Sequence, residues 1–363
     1  MTVHPALLLA TRKGLLRLEH SKDGYRLVRL SLEGVPVSYA ACDPRSESIW
    51  ACLDHGHWGQ KLARSSNAGE DWEDVAAPKY PDGAKRPNGD PATLRYLWSF
   101  QHGGDDQPGR LYFGTEPGGL FRSDDDGASF ELVRGLWDHP SHTEKFWFGG
   151  GRDTPGIHSI LVDPRDSRRL TIAISCAGVF RSDDDGARWD GRNKGMTADF
   201  LPDPDSEYGQ DPHLIVRSKA DPDVLWQQNH CGIYRSVDDA AEWTKVSESG
   251  GPADFGFAIA THDTDARTAW VVPLLSDEKR NAIDGALAVC RTNDGGESWQ
   301  RLSKGLPQEA AFDVTYRHCL DTIGDLLAFG TTTGNLFISE DAGESWYCAG
   351  NHFPPVYSVR FER

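Results

Sequence analysis

An all-β chain, folded as a seven-bladed β-propeller of four-stranded antiparallel blades, is what this sequence predicts. Three observations carry the prediction. An octapeptide of the form Ser-x-Asp-x-Gly-x-x-Trp recurs six times, starting at Ser65, Ser123, Ser182, Ser236, Thr292 and Ser339. The copies stand 47 to 59 residues apart, the length of one blade of short strands. The two ends of the chain are also complementary: the beginning supplies three strands and lacks an inner one, and the end supplies a spare.

Taken in order, the first blade reads as residues 5–32 plus 354–363. ALLLAT, GLLRLEH and YRLVRL are strands around a degenerate turn at Ser21–Gly24, and VYSVRFER supplies the missing inner strand. Pairing the ends closes the ring and leaves no open sheet edge. Blade 2 reads as 35–78, blade 3 as 92–136, blade 4 as 155–193, blade 5 as 211–248, blade 6 as 253–304 and blade 7 as 310–350, all in one domain. If the first unit is not a full blade, the count falls to six. Inside each blade a strand such as RLYFGTE, LTIAISCA or LLAFGTTT leads to an apolar pair, the octapeptide turn and a short outer strand such as FELV. IHSILVDP, HLIVRSKADP, FGFAIATHD and FDVTYRHC read as the inner strands that open blades 4 to 7.

The octapeptide invites a metal-loop reading where it is written RSDDDGASF (122–130) and RSDDDGARW (181–189). Each residue type has a mechanical task instead. The hydroxyl and the carboxylate accept backbone N–H groups a few residues on, and Gly takes a positive φ. The aromatic ring starts the next strand and is buried. An EF-hand would need a Glu at the twelfth loop position and flanking helices, and the sequence here continues as strand. These aspartates read as turn clamps.

Composition narrows the partners. With 38 Lys and Arg against 55 Asp and Glu, the formal net charge is −17, which repels phosphate backbones and anionic lipid heads. Neither nucleic acid nor a membrane is an expected partner. The apolar residues of MTVHPALLLATRKG are too few for a signal core, and no positive stretch precedes them. Seven cysteines at irregular spacing fit free thiols in a reducing compartment, so a cytoplasmic location is expected.

The repeat box resembles that of the Asp-box (BNR-repeat) propellers, a superfamily of sialidases, xyloglucan-cleaving glycosidases, sortilin-type receptors and a photosystem II assembly factor. The resemblance covers nearly the whole chain and implies the fold. It implies no single function, because catalysts and binding scaffolds share the architecture. Sialidases carry a Phe-or-Tyr-Arg-Ile-Pro motif near the first blade, whereas TRKG stands at 11–14 here. No flanking pattern marks Arg12, Arg152 and Arg280 as a carboxylate-binding triad, so true sialidase activity is not expected.

Propeller ligands bind over the mouth of the channel, at loops from outer to inner strands, at inner-strand starts, and at the turns that follow the second strands. LDHGHWGQK brings Asp54, His55, His57, Trp58 and Lys61 there. Loop 135–156 brings His139, His142, Lys145 and Arg152, and loop 194–212 brings Asp203, Asp205, Tyr208 and Asp211. His158 and His213 start inner strands, Asn229 and His230 end a second strand, and Glu116, Arg280 and Asp313 occupy related corners. Three readings follow. His158, His213 and His230 hold a divalent metal ion that activates water. Alternatively, His158, His213, Glu116 and Asp313 do acid–base work, with Arg12, His55, His57, Lys61, Arg152, Tyr208, Asn229 and Arg280 binding a small polar, sugar-like substrate. In the third, Trp58, Trp137 and Trp147 contact a protein partner on a non-catalytic scaffold. A hydrolase-like or lyase-like enzyme with a His-rich upper pocket is the favoured expectation, and a binding or assembly scaffold the alternative.

Overall fold

Six hydroxyls set the frame. In the computed structural model, which describes residues 4–144 and 146–363, the side-chain oxygens of Ser65, Ser123, Ser182, Ser236, Thr292 and Ser339 each accept the backbone N–H four residues on, at 2.8–3.0 Å. The Asp two residues on, or Asn67 in the first copy, takes the hydroxyl proton on Oδ1, as Asp125 does from Ser123 at 2.8 Å. The same oxygen accepts the N–H of Ser129 at 2.8 Å, and Asp184 accepts that of Arg188 at the same distance. Two successive left-handed residues then turn the chain, Asp126 (φ 54°) with Gly127 (φ 83°) and Asp185 (φ 62°) with Gly186 (φ 86°). The clamps reverse the chain between the third and fourth strand of every blade but the first.

Seven four-stranded antiparallel sheets result. From blade 1 to blade 7 the inner strands are Val356–Phe361, Val37–Asp43, Tyr96–His102, Ile157–Asp163, Pro212–Arg217, Gly256–Thr261 and Leu320–Ile323. Val356–Phe361 pairs antiparallel with Leu7–Thr11, so the two ends of the chain share one sheet and close the ring. Apolar side chains pack between neighbouring sheets. Trp50 of blade 2 stacks on Phe100 of blade 3 at 5.9 Å, and Trp226, Trp243 and Trp270 are fully buried in their own seams.

Two departures from regularity position the site. FDVTYRHC is not the inner strand of blade 7; that strand is the shorter Leu320–Ile323. The preceding backbone is bonded irregularly instead, with Thr332 N–H of the same blade donating to the Val314 carbonyl and Val359 N–H of blade 1 to the His318 carbonyl. Residues 312–319 therefore drape over the channel as a non-repetitive segment. In addition, the inner strands of blades 1 to 6 carry a register shift near their upper ends. The shifts fall at Val356/Ser358, Val37/Tyr39, Leu97/Ser99, Ile157/Ser159, Pro212/Leu214 and Gly256/Ile259. A bulge re-aims the side chain it frees. Here the freed residues are Tyr357, Ser38, Trp98, His158, His213 and, in blade 6, Phe257 with Ala258.

All seven cysteines are free thiols. No helix among the described residues is long and apolar enough to cross a membrane.

Candidate functional site

The channel holds two cavities, separated by a histidine floor. His318 Nε2 donates to the His158 carbonyl across the ring at 2.7 Å, and His158 Nε2 donates to the Pro212 carbonyl at 2.8 Å. Below lies a cavity of about 540 Å³ lined by the far ends of the inner strands. Most of its charged residues are paired, Lys219 with Asp263 at 2.9 Å, Arg363 with Asp321 at 2.7 Å and Arg217 with Asp239 at 2.7 Å, while Arg360 donates to the His318 and Val359 carbonyls at 2.9 and 2.7 Å and to Tyr39 Oη at 3.1 Å. Above lies a cavity of about 520 Å³. Five of the bulge residues, Tyr357, Ser38, Trp98, His213 and Phe257, line it.

A ladder of alternating arginines and rings crosses the upper cavity. The Arg152 guanidinium lies over Tyr96 at 4.6 Å and over Trp98 at 5.5 Å. Arg317 lies over Trp98 at 5.1 Å and Phe257 at 5.3 Å, and Arg280 lies over Phe257 at 5.2 Å. Stacking uses the flat faces of the guanidiniums and leaves their N–H edges for planar anions. Two of the three cations are neutralised, Arg152 by Glu116 and Arg280 by Asp277 at 2.5 Å. Arg317 is not. Its Nε is buried without a hydrogen-bond partner, and among the described residues the side chain forms no salt bridge. Burial pulls its pKa down, and the charge of Asp211 counters only part of that.

Beside Arg317 stands an acid with two imidazoles. Asp211 precedes the inner strand of blade 5, His213 sits in that strand's bulge, and His230 follows the second strand, Leu225–Asn229. Asp211 Oδ2 lies 3.5 Å from His213 Nε2 and 3.5 Å from His230 Nδ1. Its other oxygen accepts the Cys176 N–H at 3.0 Å. His213 Nδ1 donates to the Gly256 carbonyl at 2.6 Å. Burial alone would raise the Asp211 carboxyl, but the two imidazoles and Arg317 outweigh it and hold the group well below the carboxylate range. His213 is pulled down by burial against the pull of Asp211; His230 is raised, chiefly by Asp211.

The other expected site residues have different surroundings. Both ring nitrogens of His158 are engaged, with Ser159 Oγ at 2.9 Å and with Pro212, so this imidazole has no lone pair to offer a metal or a proton in flight. Glu116 is buried, holding Arg152 and accepting Thr154 Oγ1 at 3.2 Å. Asp313 is outside the upper cavity, where its Oδ1 accepts Thr333 Oγ1 at 2.5 Å and Asn335 Nδ2 at 2.7 Å. Asn229 is fully buried, donating to Gln227 and accepting the Cys231 N–H. Tyr208 stacks on Phe180 at 5.9 Å, beside His139. Arg12, His55, His57 and Lys61 do not line the cavity. Of the expected contact tryptophans, Trp137 and Trp147 are buried and unavailable to a partner, while Trp58 is 67% exposed. Lys145 lies outside the described residues.

Arg317 and the acid of the Asp–His–His cluster are the residues that sequence reasoning passed over as site groups. Asp211 was one of several acids in loop 194–212. Arg317 was hidden in a segment read as strand, where an arginine is unremarkable; an arginine next to a histidine in an otherwise inner-strand pattern is the signal available.

No protein-family model and no curated protein matches this chain. Solved structures do match in shape. The GH74 enzyme of Niastella koreensis aligns with a TM-score of 0.63 at 14% identity, covering 95% of this chain and 54% of that one. An ancestral GH74 enzyme aligns with a TM-score of 0.57 at 14% identity, over 86% of this chain and 38% of that one. This chain thus spans about half the length of the first of them, and less of the second. YCF48, solved bound to a D1 peptide, aligns with a TM-score of 0.53 at 13% identity, over 99% of this chain and 90% of that one. At such identities what is shared is the propeller fold.

Proposed function

We propose that the upper cavity is the active site of a hydrolase or lyase acting on a small, polar, anionic substrate. The observation that carries this reading is the unpaired Arg317 guanidinium beside the Asp211–His213–His230 cluster. A buried cation without a counter-ion is costly, and a carboxylate or phosphate group on a ligand supplies what is missing. In this reading Arg317 fixes the anionic end, Arg152 and Arg280, each already held by a carboxylate, border the cavity, and the cluster acts on the bond next to it. Trp98 and Phe257 hold Arg317 in place and give an apolar wall.

Two-carboxylate glycoside chemistry finds less support. It needs one protonated carboxyl facing one ionised carboxylate. The acids that line the cavity are Asp211 and Asp277. The first is held ionised by its imidazoles and the second is committed to Arg280. A non-catalytic binding propeller is the second reading. Exposed Trp58 favours it, as does the likeness to YCF48, which is solved with a peptide bound and is matched over most of its length.

A panel of small carboxylate- and phosphate-bearing esters, glycosides and hydroxy acids tests the proposal, read as kcat/KM for the wild type and Arg317→Met. Loss of one preorganised cation is expected to cost about 100-fold or more with folding retained. Turnover that survives in Arg317→Met contradicts the reading. No turnover of any substrate, with Trp58→Ala abolishing capture of a peptide, supports the scaffold instead.

A further inference from the structure

We infer that Asp211 Oδ2, His213 Nε2 and His230 Nδ1 form a three-ligand site for a divalent transition-metal ion, with the remaining coordination position facing the upper cavity. The inference rests on the reading of that cavity as the reaction site and adds the cofactor class. The tautomer of His213 is its first support. Nδ1 lies 2.6 Å from the Gly256 carbonyl, which can only accept, so Nδ1 carries the hydrogen and neutral His213 presents a lone pair at Nε2. That lone pair faces a carboxylate oxygen, another acceptor, at 3.5 Å. Two acceptors aimed at each other need a proton or a cation between them.

Distance selects the cation. A charged imidazolium donating to a carboxylate would close to about 2.7–2.9 Å. Both imidazoles instead stand 3.5 Å from the same oxygen. Ligand atoms on a tetrahedral ion with bonds of about 2.1 Å lie about 3.4 Å apart. The three ligand atoms all lie within 4.8 Å of one another. The supporting bonds are those of a built site. Gly256 fixes the ring of His213, and the Cys176 N–H fixes the second carboxylate oxygen at 3.0 Å. Two imidazoles and one carboxylate suit zinc, cobalt, iron or nickel rather than magnesium or calcium. His158 is excluded from the set, since both its nitrogens are already bonded.

The test is a titration of chelator-treated full-length protein with Co²⁺, followed by its visible d–d bands and by calorimetry. One equivalent is expected to bind with imidazole-type bands and to be displaced by Zn²⁺. His230→Gln, at the half-buried wall, and Asp211→Asn should each weaken Co²⁺ binding by at least about 100-fold, with the circular dichroism of the fold unchanged. His213→Gln, which is buried, is read only if its circular dichroism matches. Co²⁺ binding that is absent, or equal in wild type and His230→Gln, overturns the site. The readout needs no substrate, so the two proposals fail separately. Binding without turnover keeps the metal and removes the enzyme; Arg317-dependent turnover without binding does the reverse.

Discussion

At the scale of single residues, the tandem aspartates divide their labour. The middle Asp of each run, Asp125 or Asp184, clamps its own turn. The Asp that follows the clamping one reaches outward in blades 4 and 5. Asp185 meets Arg110 at 2.7 Å and Arg122 at 3.3 Å from blade 3, and Asp239 meets Arg181 of blade 4 at 2.6 Å. The clamp was legible because its hydrogen bonds are local; the cross-blade pairing was not, because it depends on which sheets become neighbours. The turn glycines differ in the same way. A Cβ on Gly127 would sit 2.5 Å from the Trp50 ring of blade 2, whereas on Gly69 the nearest atom is 3.5 Å away. Both have positive φ, so both alanine variants carry left-handed strain of about 1–2 kcal/mol. Gly127→Ala adds overpacking of about 1–3 kcal/mol. Chemical denaturation of the two variants should show Gly127→Ala clearly the less stable; equal losses would mean that Trp50 yields without cost.

Elements meet in charged seams as well as apolar ones. Asp163 ends the inner strand of blade 4, buried, with Arg165 at 2.8 Å and Arg217 of blade 5 at 3.7 Å. Burial would raise its pKa. The hydrogen bonds from the Arg165 side chain and backbone, with the charge of Arg217, overcome burial and lower it to about 2. A folded-state value below the unfolded one means the stabilisation is complete above about pH 4 and is lost as the pH falls toward 2. Asp163→Ala is expected to lower stability at neutral pH by about 1–3 kcal/mol, because Arg165 and Arg217 each lose one carboxylate while keeping Asp223 and Asp239. It should also flatten the acid limb of the unfolding profile between pH 4 and 2. An acid limb unchanged by the substitution would show that other carboxylates govern it. At this same scale the sequence misled where regularity broke. The repeat announces strands, but a bulge leaves no mark in a period-two pattern, so the inward turn of Trp98 and Phe257 was invisible. In blade 7 the alternation of FDVTYRHC imitates a strand that the backbone does not form.

Across the whole molecule, seven sheets and their closure by the two chain ends were readable, since each blade announces itself by a turn and the unmatched terminal strands need one another. What the ring does with its centre was only half readable. The histidines were expected near the channel mouth. Yet His158 and His318 bond across the channel to floor the upper cavity, and Glu116 serves Arg152. The ring gathers Asp211, His213 and His230 from one blade and sets Arg317 beside them from the irregular segment of another. The account therefore turns on Arg317 as the seat of a ligand's negative charge. The most direct measurement is isothermal titration calorimetry of malonate and of inorganic phosphate with wild-type protein and Arg317→Met. The account predicts that at least one of the two anions binds the wild type, and that the variant loses this affinity by about 10-fold or more while its fold is kept. Equal binding by the two proteins, or none by the wild type, would contradict it.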